Sequence, residues 1–214
     1  MADLHRVPPG RAGKLWLARR LQTGRLAADL LDRKLQILIG QQQRYAERAA
    51  ATARRWEAAW QEADRWGRRG AVLGGRRELR LAAPAQPARV AVDWASAMGV
   101  SYPAGARCQL PDPVPGSRGP GTAALVTAAA AYRAALQAAA DHAAAQAAAD
   151  SLAAEVTRTR QRVHAITDRW LPRLEAALRE RTDRLAADEL AETVRLRWAR
   201  RRVEGYTKTR FLDI

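Results

Sequence analysis

The stretch Thr159–Leu178, TRQRVHAITDRWLPRLEAAL, decides the fold of this chain. Its large apolar residues recur three and four positions apart, which is the spacing of a helix that packs along a partner helix. This ladder shifts by one position at Trp170 and Leu171, immediately before Pro172. A proline inside a helix costs about 3 kcal/mol relative to alanine, because it lacks a backbone N–H and its ring meets the preceding turn. The stretch therefore predicts a long helix that is bent or locally unwound at Pro172 and held by a partner helix.

Residues from about Gly13 to Trp66 supply that partner. Two series of mostly apolar positions step by seven and are offset from each other by three and four, as in a heptad pattern. One series is Leu21, Ala28, Leu35, Gln42, Ala49, Trp56 and Ala63, and the other is Leu17, Gly24, Leu31, Leu38, Tyr45, Thr52, Ala59 and Trp66. Because a helix rises about 1.5 Å per residue, a helix of this length needs an equally long partner.

The C-terminal part predicts the second helix over residues 122–203, where there is no glycine and a single proline. Alanine dominates its first third, so close packing through small residues is expected there. The predicted seam of this helix runs through Leu152, Val156, Thr159, Val163, Ile166, Trp170, Leu174, Leu178 and Leu185 towards Val194 and Trp198. Gly205 is expected to end the helix, which leaves residues 204–214 as a tail.

The middle of the chain has a different composition. Seven of the ten prolines lie between Gly67 and Gly121, so the first helix is expected over residues 10–69 and an insert rich in proline and glycine over residues 70–121. Within the insert, residues 78–82 (ELRLA) and 89–94 (RVAVDW) alternate with a period of two and are predicted to pair as a short β-hairpin. The alternative for residues 94–98 is a helical turn. Residues 111–120 are predicted to form a loop.

Two long helices with matching stripes on either side of an insert predict the fold class. We expect an all-α protein that forms a long antiparallel two-helix coiled coil, or helical hairpin, whose middle insert contains a short β-hairpin. Residues 1–214 are expected to form a single elongated domain. The first helix is expected to begin at Pro9 or Gly10, after a short N-terminal tail.

The chain is strongly basic, with a formal net charge of +15 and an isoelectric point near 11.4. This charge favours a polyanionic partner, which is a nucleic acid, a membrane surface or an acidic protein surface, and does not choose among them. The single cysteine, Cys108, excludes an internal disulfide. There is neither an uninterrupted run of about 18 apolar residues nor an apolar N-terminal signal segment, so a cytosolic protein without a membrane span is expected.

The sequence predicts no catalytic site, no cofactor and no metal site. In PPGRAGKLW, residues 8–16, the glycines are too close together for a phosphate-binding loop, and Leu15 stands where a hydroxyl is needed. The three histidines, His5, His142 and His164, lack a second histidine at ligand spacing. Cys108 has no histidine near it in the sequence to activate it. A structural role is therefore favoured over an enzymatic one.

Three segments, in order along nearly the whole chain, resemble a known family. Arg19-Arg20-Leu21 with Leu30-Leu31 and Lys34 is similar to an RRL…LLxxK signature, and Met98-Gly99-Val100 with Pro103 is similar to an MGVxxP segment. Thr159-Arg160, Arg162-Val163, Ala165 and Pro172-Arg173-Leu174-Glu175 are similar to a TRRRVNALE…IPRLE run. These are motifs of the D subunits of the V-type and archaeal-type (V/A-type) rotary ATPases, which the chain thus resembles.

The resemblance implies a non-catalytic central-stalk component, the rotor shaft that couples ion translocation through a membrane ring to ATP synthesis or hydrolysis. The implied partners are the catalytic hexamer of subunits A and B, the small F subunit of the stalk, and the funnel-shaped C subunit (d-type) above the ring. The implied location is cytoplasmic, peripheral to the membrane as part of the ATPase complex, with no direct membrane insertion and no nucleic acid.

Two other functions are compatible with a basic coiled coil. One is a nucleic-acid-binding protein that uses basic runs such as Arg195–Arg202, although no base-stacking aromatic platform accompanies these runs in the sequence. The other is a stand-alone scaffold or membrane-surface coiled coil, which predicts a stable isolated dimer.

Overall fold

The structure of the protein is a computed structural model, which describes residues 7–82, 86–111 and 121–210. The elements in chain order are α1 (Gly10–Ala82), β1 (Arg89–Ala97), β2 (Val100–Gln109), α2 (Ala123–His164), a π-helix (Ala165–Trp170) and α3 (Leu171–Arg210). The contacts divide the chain into two units, which are described separately. The terminal unit comprises Met1–Asp32 and Gln161–Ile214, and the middle unit comprises Arg33–Arg160.

In the terminal unit, the first part of α1 packs antiparallel against the π-helix and α3. Helix α1 begins at Gly10, as predicted. Two ion pairs fix the direction of pairing, because the earlier arginine, Arg11, bonds to Glu189 at 2.6 Å and the later one, Arg25, bonds to Glu175 at 2.7 Å. The core between the helices consists of the buried residues Leu17, Leu21 and Leu174, flanked by Trp16, Trp170, Leu171, Ala177 and Leu178.

In the middle unit, the rest of α1 packs antiparallel against α2. Lys34 bonds to Glu155, and further along α1 the hydroxyl of Thr52 lies 3.4 Å from Nδ1 of His142. The largest buried cluster consists of Leu35, Leu38, Tyr102, Ala148, Leu152 and Val156. Eight buried alanines between positions 124 and 149 provide the close small-residue packing that the sequence predicted. In each unit α1 therefore runs antiparallel to a later helix, and the predicted all-α fold with antiparallel two-helix pairing is confirmed.

The insert contains a β-hairpin, as predicted, but only one of the two predicted strands, residues 89–94, belongs to it. Strands β1 and β2 pair antiparallel from Arg89 opposite Gln109 to Ala97 opposite Val100. Met98 and Gly99, with φ of 51° and 80°, form the two-residue turn between the strands, and positive φ at both positions is the geometry that matches the twist of a hairpin. A bulge between Asp93 and Trp94 interrupts the register. Beyond the bulge, Ala95, Ala97 and Val100 pack against the cluster around Leu38 and Tyr102.

Two predictions for the insert were wrong. Residues 78–82 belong to helix α1 rather than to a strand, and residues 94–98 continue β1 into its turn rather than forming a helical turn. The run ELRLA is too short for its period to distinguish a strand from the end of a helix. Residues 112–120, most of the predicted loop, lie outside the described residues.

Helix α1 continues to Ala82, beyond the end expected at residue 69, because its glycines serve close packing. Gly67, Gly70 and Gly74 lie on one face of the helix, and a Cβ at Gly70 or Gly74 would come within 2.7 or 2.9 Å of the side chain of Leu125. A Cβ at Gly67 would likewise meet the ring of Tyr132. At Gly75, with φ of 64° and ψ of −179°, the backbone leaves the helical conformation, and α1 consists of two helical segments that meet at this kink.

Helix α3 extends to Arg210 and includes Gly205, where the sequence predicted its end. A glycine costs about 1 kcal/mol inside a helix, which a long helix tolerates, and it ends a helix only when its backbone turns into the left-handed region. Residues 211–214, the rest of the predicted tail, are not among the described residues.

The continuous helical run Ala123–Arg202 contains an 18-residue window with a mean hydropathy of 1.2, which is enough to cross a membrane by length and composition alone. The apolar character of this run comes largely from its alanines, eight of which are buried between positions 124 and 149, although only 28% of the apolar window is buried. The absence of direct membrane insertion stays a prediction.

Candidate functional site

Pro172 is accommodated by the π-helix that precedes it. The N–H of Leu171 donates to the carbonyl of Ile166, five residues earlier, instead of to the carbonyl four residues earlier. This wider turn absorbs one extra residue just where the proline cannot donate to the carbonyl of Asp168. The expected local unwinding at Pro172 is therefore a π-turn, after which the chain continues directly as α3.

The π-turn explains the shift in the apolar ladder. A Cβ added at Gly24 would clash with the indole of Trp170 and would come within 2.9 Å of Cδ2 of Leu171. The two residues on either side of the ladder shift, Trp170 and Leu171, thus both contact the position of Gly24 on α1. The sequence step from Trp170 to Leu171 marks a real extra residue in the turn.

Polar side chains form a small network on the exposed side of the π-turn. Nδ1 of His164 lies 2.9 Å from Oδ2 of Asp168, and the Thr167 hydroxyl lies 3.0 Å from the carbonyl of Val163 and 2.8 Å from Oδ1 of Asp168. The hydrogen bond from His164, followed by that from Thr167, lowers the pKa of Asp168 below its ordinary value of 3.8. This network gives the hydroxyl and the carboxylate local partners beside an irregular stretch of backbone.

Arg20, in the first family motif, contacts the rings of two tryptophans. Its guanidinium carbon is 5.3 Å from the ring centroid of Trp16 and 5.7 Å from that of Trp170, both within the range of cation–π attraction. Arg20 thereby links α1 to the π-turn. Its Nε is buried and has no hydrogen-bond partner in the described residues.

Two charged residues of the family motifs form ion pairs between helices. Nζ of Lys34 lies 3.3 Å from Glu155, and the side chains are only 25% and 16% exposed. Glu175 accepts a hydrogen bond from Arg25 at 2.7 Å, in a more exposed position. These pairs fix the register of helix pairing within their respective units. The family motifs contain Lys34 and Glu175 but neither of their partners.

The remaining arginines of the family motifs point to a different role. Arg19, Arg160, Arg162 and Arg173 are all exposed, and none of them forms an ion pair within the part of the chain that the structure describes. Since exposed guanidinium groups are free to meet acidic surfaces, these four residues are candidates for partner contacts.

The predicted seam residues lie along the helix-pairing faces of the two units. Those that are buried are Leu17, Leu21, Leu35, Leu38, Val156 and Leu174. Those that are half-buried are Leu31, Tyr45, Val163, Ile166, Trp170 and Leu178. The predicted continuation to Val194 and Trp198 is not covered by α1, and these side chains are 48% and 69% exposed. The physical reason is that α1 begins at Gly10, close to the partner of Glu189, so no residue of α1 lies beyond it.

The β-hairpin is attached to the helices by contacts that the sequence did not reveal. The Gln137 side chain on α2 accepts a hydrogen bond from the N–H of Cys108 at 2.9 Å and donates to the carbonyl of Ala106 at 3.1 Å. From α1, Arg48 donates to the carbonyl of Ala104 at 2.7 Å. Contacts to the backbone of a strand 31 or 56 residues away leave no periodic signal in the sequence.

A ring contact also holds the hairpin. Tyr45 of α1 packs edge to face with Tyr102 of β2, with ring centroids 5.0 Å apart. Burial, together with the neighbouring Tyr45, raises the pKa of Tyr102 above its ordinary value of 10.0. Met98 and Gly99 of the second family motif form the turn of the same hairpin, three residues before Tyr102.

In residues 7–82, 86–111 and 121–210, no group of three or more histidine, cysteine, aspartate or glutamate side chains is arranged to hold a metal ion. The features that stand out are instead helix pairing, a π-turn and exposed arginines. The profile of the family of ATP synthase D subunits matches residues 15–201. The chain belongs to this ATP synthase D-subunit family. A search of curated proteins found no match.

The match covers both helical segments of each unit, the β-hairpin and the π-turn, and all three motifs that carried the resemblance. The D subunits are non-catalytic stalk components of rotary ATPases. The protein is therefore a component of an ATP synthase complex and not itself an enzyme, as the resemblance implied.

Proposed function

We propose that this D subunit is the central rotor shaft of a V/A-type ATP synthase, and that its rotation couples ion translocation through the membrane ring to ATP synthesis or hydrolysis in the catalytic hexamer. The observation that carries this proposal is the free end of α3. From Ala186 to Arg202 every side chain is exposed, including the apolar series Leu190, Val194 and Trp198. A helix end whose apolar residues and arginines are exposed is suited to a surrounding sleeve of other subunits.

The partners follow from the same role. The free end of α3 and the exposed arginines would face subunits A and B of the hexamer. The small F subunit would bind along the paired helices, and the funnel-shaped C subunit would receive the shaft above the membrane ring. The complex would lie on the cytoplasmic side, peripheral to the membrane.

The π-turn supports a mechanical role. A shaft that drives three equivalent catalytic sites out of phase must present different faces to them. The extra residue before Pro172 makes the two helical strands of the terminal unit unequal, because α1 has no matching irregularity between Gly10 and Asp32. Dense backbone hydrogen bonding along both strands limits twisting under load.

The test is affinity purification of the tagged full-length chain from the native cell. We expect the catalytic subunits to co-purify with ATPase activity, and deletion of residues 190–214 to reduce their recovery. Recovery of the chain without any ATPase component would contradict the proposal. A salt-dependent affinity for duplex DNA in the absence of ATPase activity would instead support the nucleic-acid-binding alternative.

A further inference from the structure

The terminal unit contains a basic cleft beside Arg19 and Arg20. The pairing of α1 with α3 does not by itself require such a cleft. We propose that this cleft binds a carboxylate-bearing peptide segment of another protein, with Arg20 as the group that donates to the carboxylate. The inference goes beyond the shaft role and does not depend on it, because it concerns the chemistry of one cleft in the isolated chain.

The first support is the way in which Arg20 is held. The rings of Trp16 and Trp170 lie 5.3 and 5.7 Å from its guanidinium carbon. A guanidinium group is planar, and its N–H groups point outward within that plane. Aromatic rings that contact the faces of the group therefore leave its N–H groups able to donate hydrogen bonds. Those N–H groups form the fork that binds a carboxylate through two parallel hydrogen bonds.

The second support is an unpaired donor. Nε of Arg20 is buried, and no group in the described residues accepts a hydrogen bond from it. Arg20 also forms none of the ion pairs found in the described part of the chain. Burial of a charged donor without an acceptor is costly, and a carboxylate bound to the Nη groups of the same guanidinium would offset part of that cost through its charge.

The third support is the lining of the cleft, which has a volume of about 580 Å³. Among the described residues, its lining contains two arginines, Arg19 and Arg20, and no carboxylate. The other lining residues are Pro8, Ala12, Leu15, Trp16, Thr23 and Trp170. Leu15 leaves 60% of its surface exposed. The cleft therefore combines positive charge with an apolar wall.

The positive charge and the apolar wall of the cleft together indicate which kind of ligand it binds. A volume of several hundred Å³ is that of a ligand pocket and is larger than a single small anion needs. An acidic side chain would meet Arg19 and Arg20 by charge complementarity, and an apolar neighbour in the same peptide would cover Leu15 and Trp16. A short acidic and apolar peptide segment satisfies both features of the cleft.

The experiment is a titration of the full-length chain with the probe peptide acetyl-Leu-Glu-Asp-Leu-amide, followed through the indole N–H signals of Trp16 and Trp170 by NMR. The matched control is the neutral peptide acetyl-Leu-Gln-Asn-Leu-amide. We expect the acidic peptide to shift both indole signals to saturation and the neutral peptide to bind at least about tenfold more weakly. Equal affinity for the two peptides, or no shift with either, would overturn the proposal.

Variants locate the site. Arg20→Gln is expected to weaken binding of the acidic peptide about tenfold, whereas Arg33→Gln, at an exposed position of the middle unit, should change it less than about twofold. Unchanged binding by a folded Arg20→Gln variant would refute the assignment. The comparison of the two peptides needs no variant, so the test holds even if Arg20→Gln fails to fold.

Two further measurements distinguish the peptide from other ligands of the cleft. Inorganic phosphate is expected to shift the indole signals far less than the peptide does, and saturation by phosphate in the same concentration range would overturn the choice of a peptide. Asp3→Asn is expected to leave the affinity of the peptide unchanged. An increase of about tenfold would show that the N-terminal tail of the chain competes for the cleft, which would refute an occupant from another protein.

Discussion

Gly24 of α1 and Trp170 of the π-turn are in such close contact that there is no room for a Cβ on Gly24. The indole lies where the side chain of any other residue would begin, and the side chain of Leu171 closes the same space. Gly24 is therefore the position on α1 that receives the extra residue of the π-turn. Gly24 is the smallest residue of its heptad series. It lies opposite Trp170 and Leu171, where the apolar ladder of the other helix shifts by one position.

Gly24→Ala is expected to destabilise the protein by about 1–2 kcal/mol, because overpacking outweighs the gain in helix propensity. The measurement is chemical denaturation followed by circular dichroism. Gly40→Ala is the matched control, since a Cβ at Gly40 would meet nothing within 4 Å. It should stabilise α1 by up to about 1 kcal/mol. Equal stabilisation by the two substitutions would show that the contact between Gly24 and Trp170 leaves room for a Cβ, contrary to this prediction.

Leu174→Asp is expected to destabilise the terminal unit by about 3–5 kcal/mol, because Leu174 is only 1% exposed and an ionised carboxylate would enter the core next to Leu17 and Leu21. Thermal unfolding and co-purification with the other ATPase components measure the effect. Leu190→Asp is the control, since Leu190 is 67% exposed, and it should leave the thermal stability nearly unchanged. Similar melting temperatures for the two variants would contradict the burial of Leu174.

Heptad spacing predicted the helices and their pairing, because helix pairing repeats the same contact every two turns and so leaves a periodic signal. The irregularity at Pro172 was also visible, since an extra residue in a turn shifts every later apolar position by one. The continuation of α1 beyond residue 69 was not predictable, because a glycine that permits close approach to Leu125, such as Gly70 or Gly74, looks the same in the sequence as one that ends a helix. Only contact with the opposite helix distinguishes the two cases.

The contacts of the hairpin and of Arg20 were beyond sequence reasoning for another reason. Gln137 and Arg48 bond to main-chain groups of β2, which any residue in that strand would offer. The cleft at Arg20 depends on Trp16 from α1 and Trp170 from the π-turn both lying within 6 Å of its guanidinium carbon. The first family motif contains Arg20 but gives no indication of these neighbours.

The ion pair between Lys34 and Glu155 is expected to contribute more than an exposed pair, because both side chains are largely covered. A double-mutant cycle with Lys34→Met and Glu155→Gln should give a coupling free energy of about 1 kcal/mol. The same cycle at Arg184 and Glu180, whose side chains are 68% and 64% exposed, should give about 0.3–0.5 kcal/mol and should weaken with added salt. A larger coupling at the exposed pair would run against this ranking.

Gln137→Ala is expected to loosen the β-hairpin, because the substitution removes the acceptor of the Cys108 N–H and the donor to the Ala106 carbonyl. An unpaired main-chain group costs about 1–3 kcal/mol when it is fully buried. The two groups here are partly buried, so the cost of each lies below the upper end of this range. Amide hydrogen exchange at Cys108 should accelerate, while exchange in the terminal unit stays unchanged. Gln146→Ala removes only an exposed bond to Asp150 and is the control. Equal protection of Cys108 in both variants would show that Gln137 does not hold the hairpin.

The pKa of Asp168 offers a test of the network on the π-turn. His164 and then Thr167 lower this pKa below 3.8, so the charged carboxylate is favoured in the folded chain. The resulting stabilisation is present above pH 3.8 and is lost as the pH falls through the pKa of the folded state. Carboxyl ¹³C NMR titration should show the pKa of Asp168 rising towards 3.8 in His164→Ala, and rising less in Thr167→Val, because the bond from His164 is the larger cause. If Thr167→Val produced the larger rise, the network would depend mainly on the hydroxyl that also contacts the carbonyl of Val163 within the irregular turn.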